Sequence, residues 1–398
     1  MGVSAFPPTR RAALDRLAAF VPSAGRHYTN GRNSDPGPDA AGAVSRLSPY
    51  VRYRLVTEQE IVSQVLARHS FADAEKFVQE VLWRTYWKGW LEMRPGVWAR
   101  FVEELDRQHQ SFRDGRALAA AEGGTTGIDG FDDWARELVE TGYLHNHARM
   151  WFASIWIFTL RLPWVLGADF FLRHLLDGDA ASNTLSWRWV AGLQTVGKAY
   201  LATADNIARY TEGRFRPVGL ATDAFALTEP SIEAAHSLPA PGPVDANARA
   251  LALVTHEDMN PETVMPGGLR VAGAIAASDA ALLWGDGARA FVGAAMRDTA
   301  SRVEAQYRCP AELSESLDAV TLIAGAQRAG VHQIVTSYAP VGPVADRLAT
   351  LAPELANEGI ALVQIRRQWD EHCWPHAKKG FFPFKERIPV LLREEGLL

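Results

Sequence analysis

Cysteine is nearly absent. Cys309 and Cys373 are the only two in 398 residues, which excludes a disulfide framework and a four-cysteine cluster and makes a reducing cytoplasm the expected compartment. Long hydrophobic runs are missing as well. The start, MGVSAFPPTRR, has no apolar core of the kind a leader carries. The most apolar stretch, Met150 to Leu160, ends at Arg161 and is too short to span a bilayer. The chain is therefore expected to be neither secreted nor membrane-spanning. Positive charge is not in excess either: the net charge is -5, so no whole-protein field draws the chain onto nucleic acid, and any such contact must use a local basic groove. What remains is 47% hydrophobic and 22% charged, the composition of an ordinary globular protein of two or three domains, which rules out disorder as the main theme.

Tryptophan is in surplus. There are 13, and ten of them lie between Trp83 and Trp189. Residues 1–215 read as helix after helix, with apolar positions three and four apart and few alternating β-branched runs. FVQEVLWRTYWKGWLEM, from Phe77, is one such helix. HARMWFASIWIFTLRL, from His147, is apolar almost all round and so central, with Pro163 and the Gly167 region punctuating it. Residues 216–245 are rich in Pro, Ala, Gly and Ser without a period and read as a linker. From residue 246 to 398 the pattern changes. ALALVTHED, VHQIVTSY and LAPELANEGIALVQIRR alternate short strand-like runs with helical stretches, the signature of a small parallel sheet in an α/β domain. Neither G-x-G-x-x-G nor G-x-x-x-x-G-K-[ST] accompanies those strands, so no dinucleotide or P-loop site is signalled there.

Four clusters in the helical half have chemical potential. SRLSPY, Ser45 to Tyr50, sets two hydroxyls and Arg46 before the run VRYRLVTEQEIVSQVL, an arrangement suited to a phosphate, although a simple helix cap is the commoner use of such residues. Glu80, Trp83 and Trp87 share a helix face, where an acid beside indoles can wall a pocket for a flat ligand; a packed aromatic stripe is the commoner outcome. HNHARM offers two histidines that do not share a face, with no CxxC or HExxH to complete them, so no metal is assigned. LLDGDAASNTLSWRW resembles a calcium loop only superficially, because Ser182 and Arg188 stand where Gly and Glu are needed. Its acids need partners if buried, and Arg149 is a candidate for Asp177.

Taken in order, Tyr28 with Arg32, SRLSPY, EVLWR at Glu80 to Arg84, TGYLHNHARM at Thr141 to Met150, DGDAASN and WRW resemble the flavin-binding helical domain of the photolyase and cryptochrome family, from about Phe6 to Tyr210. The resemblance implies FAD as cofactor. It implies contacts to FAD from Tyr28, Ser45, Arg46, Leu47, Ser48, Arg84, Arg149, Asp177, Asp179 and Asn183, with Arg149 paired to Asp177. Trp187 and Trp164 match the inner and middle members of the family's electron-transfer tryptophans; Trp98 and Trp134 are candidates for the outer one. Glu80, Trp83, Asn146, Met150 and Trp189 match the positions lining the pocket for a flipped-out cyclobutane pyrimidine dimer, two indoles stacking on the bases. Arg32 and His147 stand where DNA is contacted, His147 replacing the arginine common in dimer-repair enzymes.

The second half resembles the family's α/β antenna domain: ALALVTHEDMNPET is similar to its first strand and GFFPFKER to its closing segment. That domain normally comes first, so the chain reads as circularly permuted, which is physically cheap when termini lie close together. SYAPVGPVADRL lacks the acidic residue that grips a folate antenna, which leaves the second chromophore open. The resemblance implies a monomeric, cytoplasmic, light-driven lyase acting on UV-damaged DNA. A cryptochrome-like sensor without repair, for which the continuation AGLQTVGKAYLATADNIARYTEGRF leaves room, and a small-molecule flavoenzyme of the same fold are the alternatives.

Overall fold

The computed structural model describes residues 5–40 and 42–398; residues 1–4, part of the start on which the absence of a leader was read, lie outside the described residues. The first half is helical throughout: α1 (Arg10–Phe20), α2 (Arg26–Gly31), α3 (Ser48–Arg52), α4 (Glu58–Leu66), α5 (Phe71–Glu92), α6 (Gly96–Ser111), α7 (Gly115–Glu122), α8 (Phe131–Thr141), α9 (Asn146–Ser154), α10 (Trp164–His174), α11 (Ala180–Val190) and α12 (Ala204–Tyr210). The second half supplies β1 (Arg249–Val254), β2 (Arg270–Ala277), α13 (Asp286–Tyr307), β3 (Ala311–Ser314), α14 (Ala319–Ala329), β4 (Gln333–Ser337), α15 (Pro343–Asn357), β5 (Ala361–Ile365), α16 (Gln368–Cys373) and α17 (Phe381–Glu394). The expected order, an all-helical half followed by a parallel-sheet α/β half, is the observed one. No helix among the described residues is long and apolar enough to cross a membrane.

Local chemistry accounts for the boundaries. The helix anticipated from Phe77 starts a turn and a half earlier, because the Ser70 hydroxyl accepts the Asp73 N–H and so caps α5. The run after Ser48 is not one helix. Arg54 takes a left-handed backbone, φ 53°, and Thr57 opens α4 with a reciprocal capping box to Glu60, so the chain turns between α3 and α4. Gly167 does not interrupt its segment either. It sits inside α10 because a Cβ there would stand 2.3 Å from the Trp187 ring, and only glycine lets α11 lay that indole against the helix. After α9 a π-helical turn, Ile155–Thr159, carries the chain to Pro163 at the start of α10.

All five strands are parallel in the order β3-β2-β1-β4-β5. The two-residue period divides β1 between two cores. Leu251 and Leu253 join Leu322 of α14 and Leu348 of α15, while Ala250, Ala252 and Val254 belong, with Phe291, Val292 and Met296 of α13, to the core of the helical half. Small residues on that second face let α13 and the helical half pack close. Between α12 and β1 the chain forms neither helix nor strand, yet it is pinned along its length. Leu227 N–H meets the Ala191 carbonyl, Glu229 pairs with buried Arg188, and His236 N–H donates to the Met93 carbonyl. Val218 and Phe225 on the same segment remain more than four-fifths exposed.

Candidate functional site

One cavity of about 270 Å³ opens among α2, the segment into α3, α5, the start of α9 and the loop before α11. It gathers Tyr28, Arg32, Ser45, Arg46, Leu47, Ser48, Glu80, Arg84, Asn146, His147, Arg149 and Asp177, twelve of the residues singled out from the sequence, together with Tyr143 and Ser182. Helix period puts Phe77, Glu80, Val81 and Arg84 on one side of α5, which is the side facing the cavity.

The wall is polar at defined points. Arg149 and Asp177 form two parallel hydrogen bonds, of 3.0 and 2.8 Å, and Arg149 Nε donates to the Leu144 carbonyl. Arg32 Nη1 lies 2.6 Å from Glu80 Oε1. Burial pushes the Glu80 carboxyl up from its ordinary range, with Arg32 opposing the shift. Tyr28 is packed edge-on to Phe77, and burial pushes its hydroxyl up. Ser45 Oγ accepts the Leu47 N–H at 3.3 Å; α3 is capped by the backbone of Leu47, so neither serine hydroxyl is spent as its cap. Arg46, in a left-handed conformation, lays its guanidinium 4.8 Å from the Tyr143 ring centre. His147 is held neutral, its value lowered to about 4 first by burial and then by His145 and Arg32. It therefore supplies no cation for a phosphate at neutral pH.

The remaining candidates lie elsewhere. Asp179 is buried and fully engaged: Oδ1 accepts the Ala181 and Ser182 N–H groups, and Oδ2 lies 2.9 Å from Lys88 Nζ and 3.2 Å from Arg84 Nη1. These cations hold its carboxyl well below the usual range against the cost of burial. Asn183 Nδ2 donates to the Ala168 carbonyl at 2.9 Å. Trp83 is half-buried outside the cavity lining, stacked face to face on Phe381 of α17 with ring centres 3.5 Å apart and planes 13° from parallel. Trp189 stacks on Tyr200, centres 5.6 Å apart. Met150, half-buried on α9, is also outside the lining.

Trp187 touches Trp156, centres 6.2 Å apart, and rests on Gly167, three residues from Trp164 on α10. From Trp164 the aromatic contacts continue through Phe101 to Trp98 and then to Trp284 of the α/β half. Trp134 stacks instead on Trp151.

Sequence reasoning passed over three groups. Lys88 follows Arg84 by four residues, a spacing that would have placed it on the same face. Tyr143 lay unremarked within TGYLHNHARM. Glu257, from the other half of the chain, had no local signal at all.

A helical domain whose cavity is lined by arginines, carboxylates, hydroxyls and aromatic rings has the make-up of a site for an extended, partly charged ligand. Residues 77–212 match the family model described as the FAD binding domain of DNA photolyase. The cavity fits such a group on its own terms. Arg46 Nε and Ser182 Oγ are buried without a protein partner among the described residues, and both belong to residues lining the cavity.

Among relatives, the deoxyribodipyrimidine photo-lyase of Streptomyces griseus is 33% identical over 207 residues, 49% of this chain and 45% of that protein. That of Thermus thermophilus is 33% identical over 195 residues, 47% of this chain and 43% of that protein. A bacterial class III photolyase structure from Agrobacterium tumefaciens is 27% identical with a TM-score of 0.42, covering 51% of this chain and 44% of that one. The chain thus spans about half the length of the curated relatives it matches.

Proposed function

We propose that the protein is a light-driven, FAD-dependent DNA photolyase, a carbon–carbon lyase that repairs cyclobutane pyrimidine dimers as a monomer in the cytoplasm. The observation that carries this reading is the single cavity in which the FAD candidates, from Tyr28 and Ser45 to Arg149 and Asp177, stand beside Glu80 and Asn146, the candidates for holding the damaged bases. Bound FAD, reduced and excited by light, would supply the electron that opens the dimer. The protein's part is position and charge. The Arg149–Asp177 pair and the hydroxyls of Ser45 and Ser48 would hold the cofactor; Asp179 would act by fixing the start of α11, and Asn183, tied to Ala168, would sit one turn along it.

Glu80, raised by burial, is suited to donate a hydrogen bond to a base carbonyl when protonated, and Arg32 would set its orientation and meet the DNA backbone. With His147 neutral and the net charge at -5, DNA contact would be confined to arginines around the cavity. Trp187 and Trp164 would refill the flavin with electrons. We read residues 1–215 as the FAD-binding domain, 216–245 as the linker, and 246–398 as the family's α/β domain in permuted position, a reading supported by its five parallel strands.

A cryptochrome-like sensor is the second reading, and a specific observation favours it. Trp83 already gives one face to Phe381, and Trp189 gives one to Tyr200, so a dimer between two indoles must use the faces that remain. Illuminating a UV-damaged oligonucleotide with the reduced holoprotein, against a dark control, separates the two. Repair predicts dimer loss in the light only. Normal flavin photoreduction without dimer loss would leave the sensor.

A further inference from the structure

In an open parallel sheet, ligands ordinarily bind outside the carboxyl ends of the strands, where the strand order reverses. Here that point lies between β1 and β4, flanked by residues 255–260 and 338–342. Helix α5 fills it. Lys88 Nζ stands 3.4 Å from Glu257 of the first loop. One turn later Glu92 accepts the Tyr338 hydroxyl and, at 3.0 Å, the Val341 N–H of the second. Between them Gly89 is pressed so near Trp374 that a Cβ would stand 2.9 Å from the Trp374 Cα. Only a residue without a side chain lets the helix seat this deeply.

The same contact reaches the cofactor cavity in two links. Glu257 accepts hydrogen bonds of 3.0 and 2.8 Å from Arg52. Arg52 Nε donates to the Gly178 carbonyl at 2.7 Å and lies 3.7 Å from Asp179 Oδ2, where Lys88 also binds. Asp179 in turn holds the Ala181 and Ser182 N–H groups. Asp177 and Ser182, on either side, line the cavity. Arg52, Lys88, Asp179 and Glu257 are all buried, and buried charges are tolerable only when paired, so displacing one displaces the rest.

We propose that the strand-order crevice of the sheet is a socket for helix α5, closed to a second chromophore, and that Glu257 is a positioning residue for the FAD cavity, acting through Arg52 and Lys88 on Asp179. The inference rests on the FAD reading of that cavity. In the holoprotein, Glu257→Gln keeps the shape and removes the charge. FAD should dissociate about tenfold faster, and the midpoint potential of the bound flavin should rise, because a cation beside the cavity is left uncompensated. Adding Lys88→Gln should bring the potential back toward the parent value.

Unchanged dissociation and potential with a lowered unfolding temperature would reduce the network to a structural tie and overturn the proposal. A second equivalent of flavin or pterin that protects residues 338–342 from hydrogen exchange would overturn the socket. If the unmodified protein takes up no FAD, the FAD reading fails, and amide exchange at Ala181 and Ser182 still decides the linkage: faster exchange in Glu257→Gln supports it, and equal exchange refutes it. Should that variant not fold, Tyr338→Phe, which removes one hydroxyl from the socket, should speed FAD loss in the same direction; no change there counts against the proposal.

Discussion

Replacing Asp177 by Asn tests the centre of the site. The substitution keeps the shape of the carboxylate but exchanges two charge-assisted hydrogen bonds to Arg149, at 3.0 and 2.8 Å, for one neutral bond and one amide group turned toward a guanidinium. Breaking a fully buried pair costs about 3–5 kcal/mol. The Arg149 side chain is 24% exposed and that of Asp177 5%, so water recovers part of the loss and about 2–3 kcal/mol is the better expectation. If the pair chiefly organises the cofactor cavity, that loss falls on binding. The FAD dissociation constant should then rise about 30- to 150-fold, at tenfold per 1.4 kcal/mol. Titrating flavin-free protein with FAD and following flavin fluorescence measures it, with thermal unfolding of the flavin-free form run in parallel. An affinity within about twofold of the parent, whatever the unfolding temperature does, would remove the pair from the site.

Three further outcomes follow from the same geometry. Acid should unfold the protein in two stages. His147 and His256 are lowered to about 4 by burial, so between their ordinary 6.5 and 4 the unfolded chain binds more protons and stability falls as pH drops. Glu257, held at about 2 by Arg52 and Lys88 although burial opposes them, then adds stability that is present above about 4.5 and lost toward 2. In a Glu137→Gln background, which removes the one opposing carboxyl raised to about 7, urea midpoints should decline from pH 6.5 to 3, and a flat profile between 6.5 and 4 would contradict the buried histidines.

Glu137 runs the other way. Burial, with Asp35 adding to it, raises its carboxyl to about 7, so Glu137→Gln should stabilise by about 1–2 kcal/mol at pH 8 and little at pH 5; equal effects at both would refute the shift. Trp98→Phe should slow flavin photoreduction while Trp134→Phe leaves it unchanged, because Phe101 joins Trp98 to Trp164 whereas Trp134 stacks on Trp151; the reverse result, read by absorbance under blue light, would move the outer member to Trp134.

Much of the fold was readable because it is locally encoded. The three-and-four spacing from Phe77 marks α5, and the alternation of short apolar runs with helical stretches marks β1, β4 and β5. β2 and β3 escaped for a physical reason. RVAGAIAA is built of small residues because α13 packs against it, and AELS is a short, partly exposed edge strand; neither carries the bulky alternation by which strands are recognised. Gly167 misled in the same way, since a glycine required by close packing inside a helix has the same letter as one that ends it.

The amino-acid sequence by itself determined the helical and α/β halves, the order of the motifs, and the residue types from which the cavity is made. Period and capping act over a few residues, and such information survives in one dimension. Tertiary structure alone decided what each face meets. Helix period places Trp83 and Glu80 on neighbouring parts of α5, but only the fold turns Glu80 toward Arg32 and the cavity and lays Phe381 of α17 on Trp83. It likewise decided that Asp179 is held by Lys88 and Arg84, and that Glu257 completes the set from the far half of the chain. A buried charge must find its counterion wherever the packed chain brings one, and nothing in local spacing records how distant segments will meet.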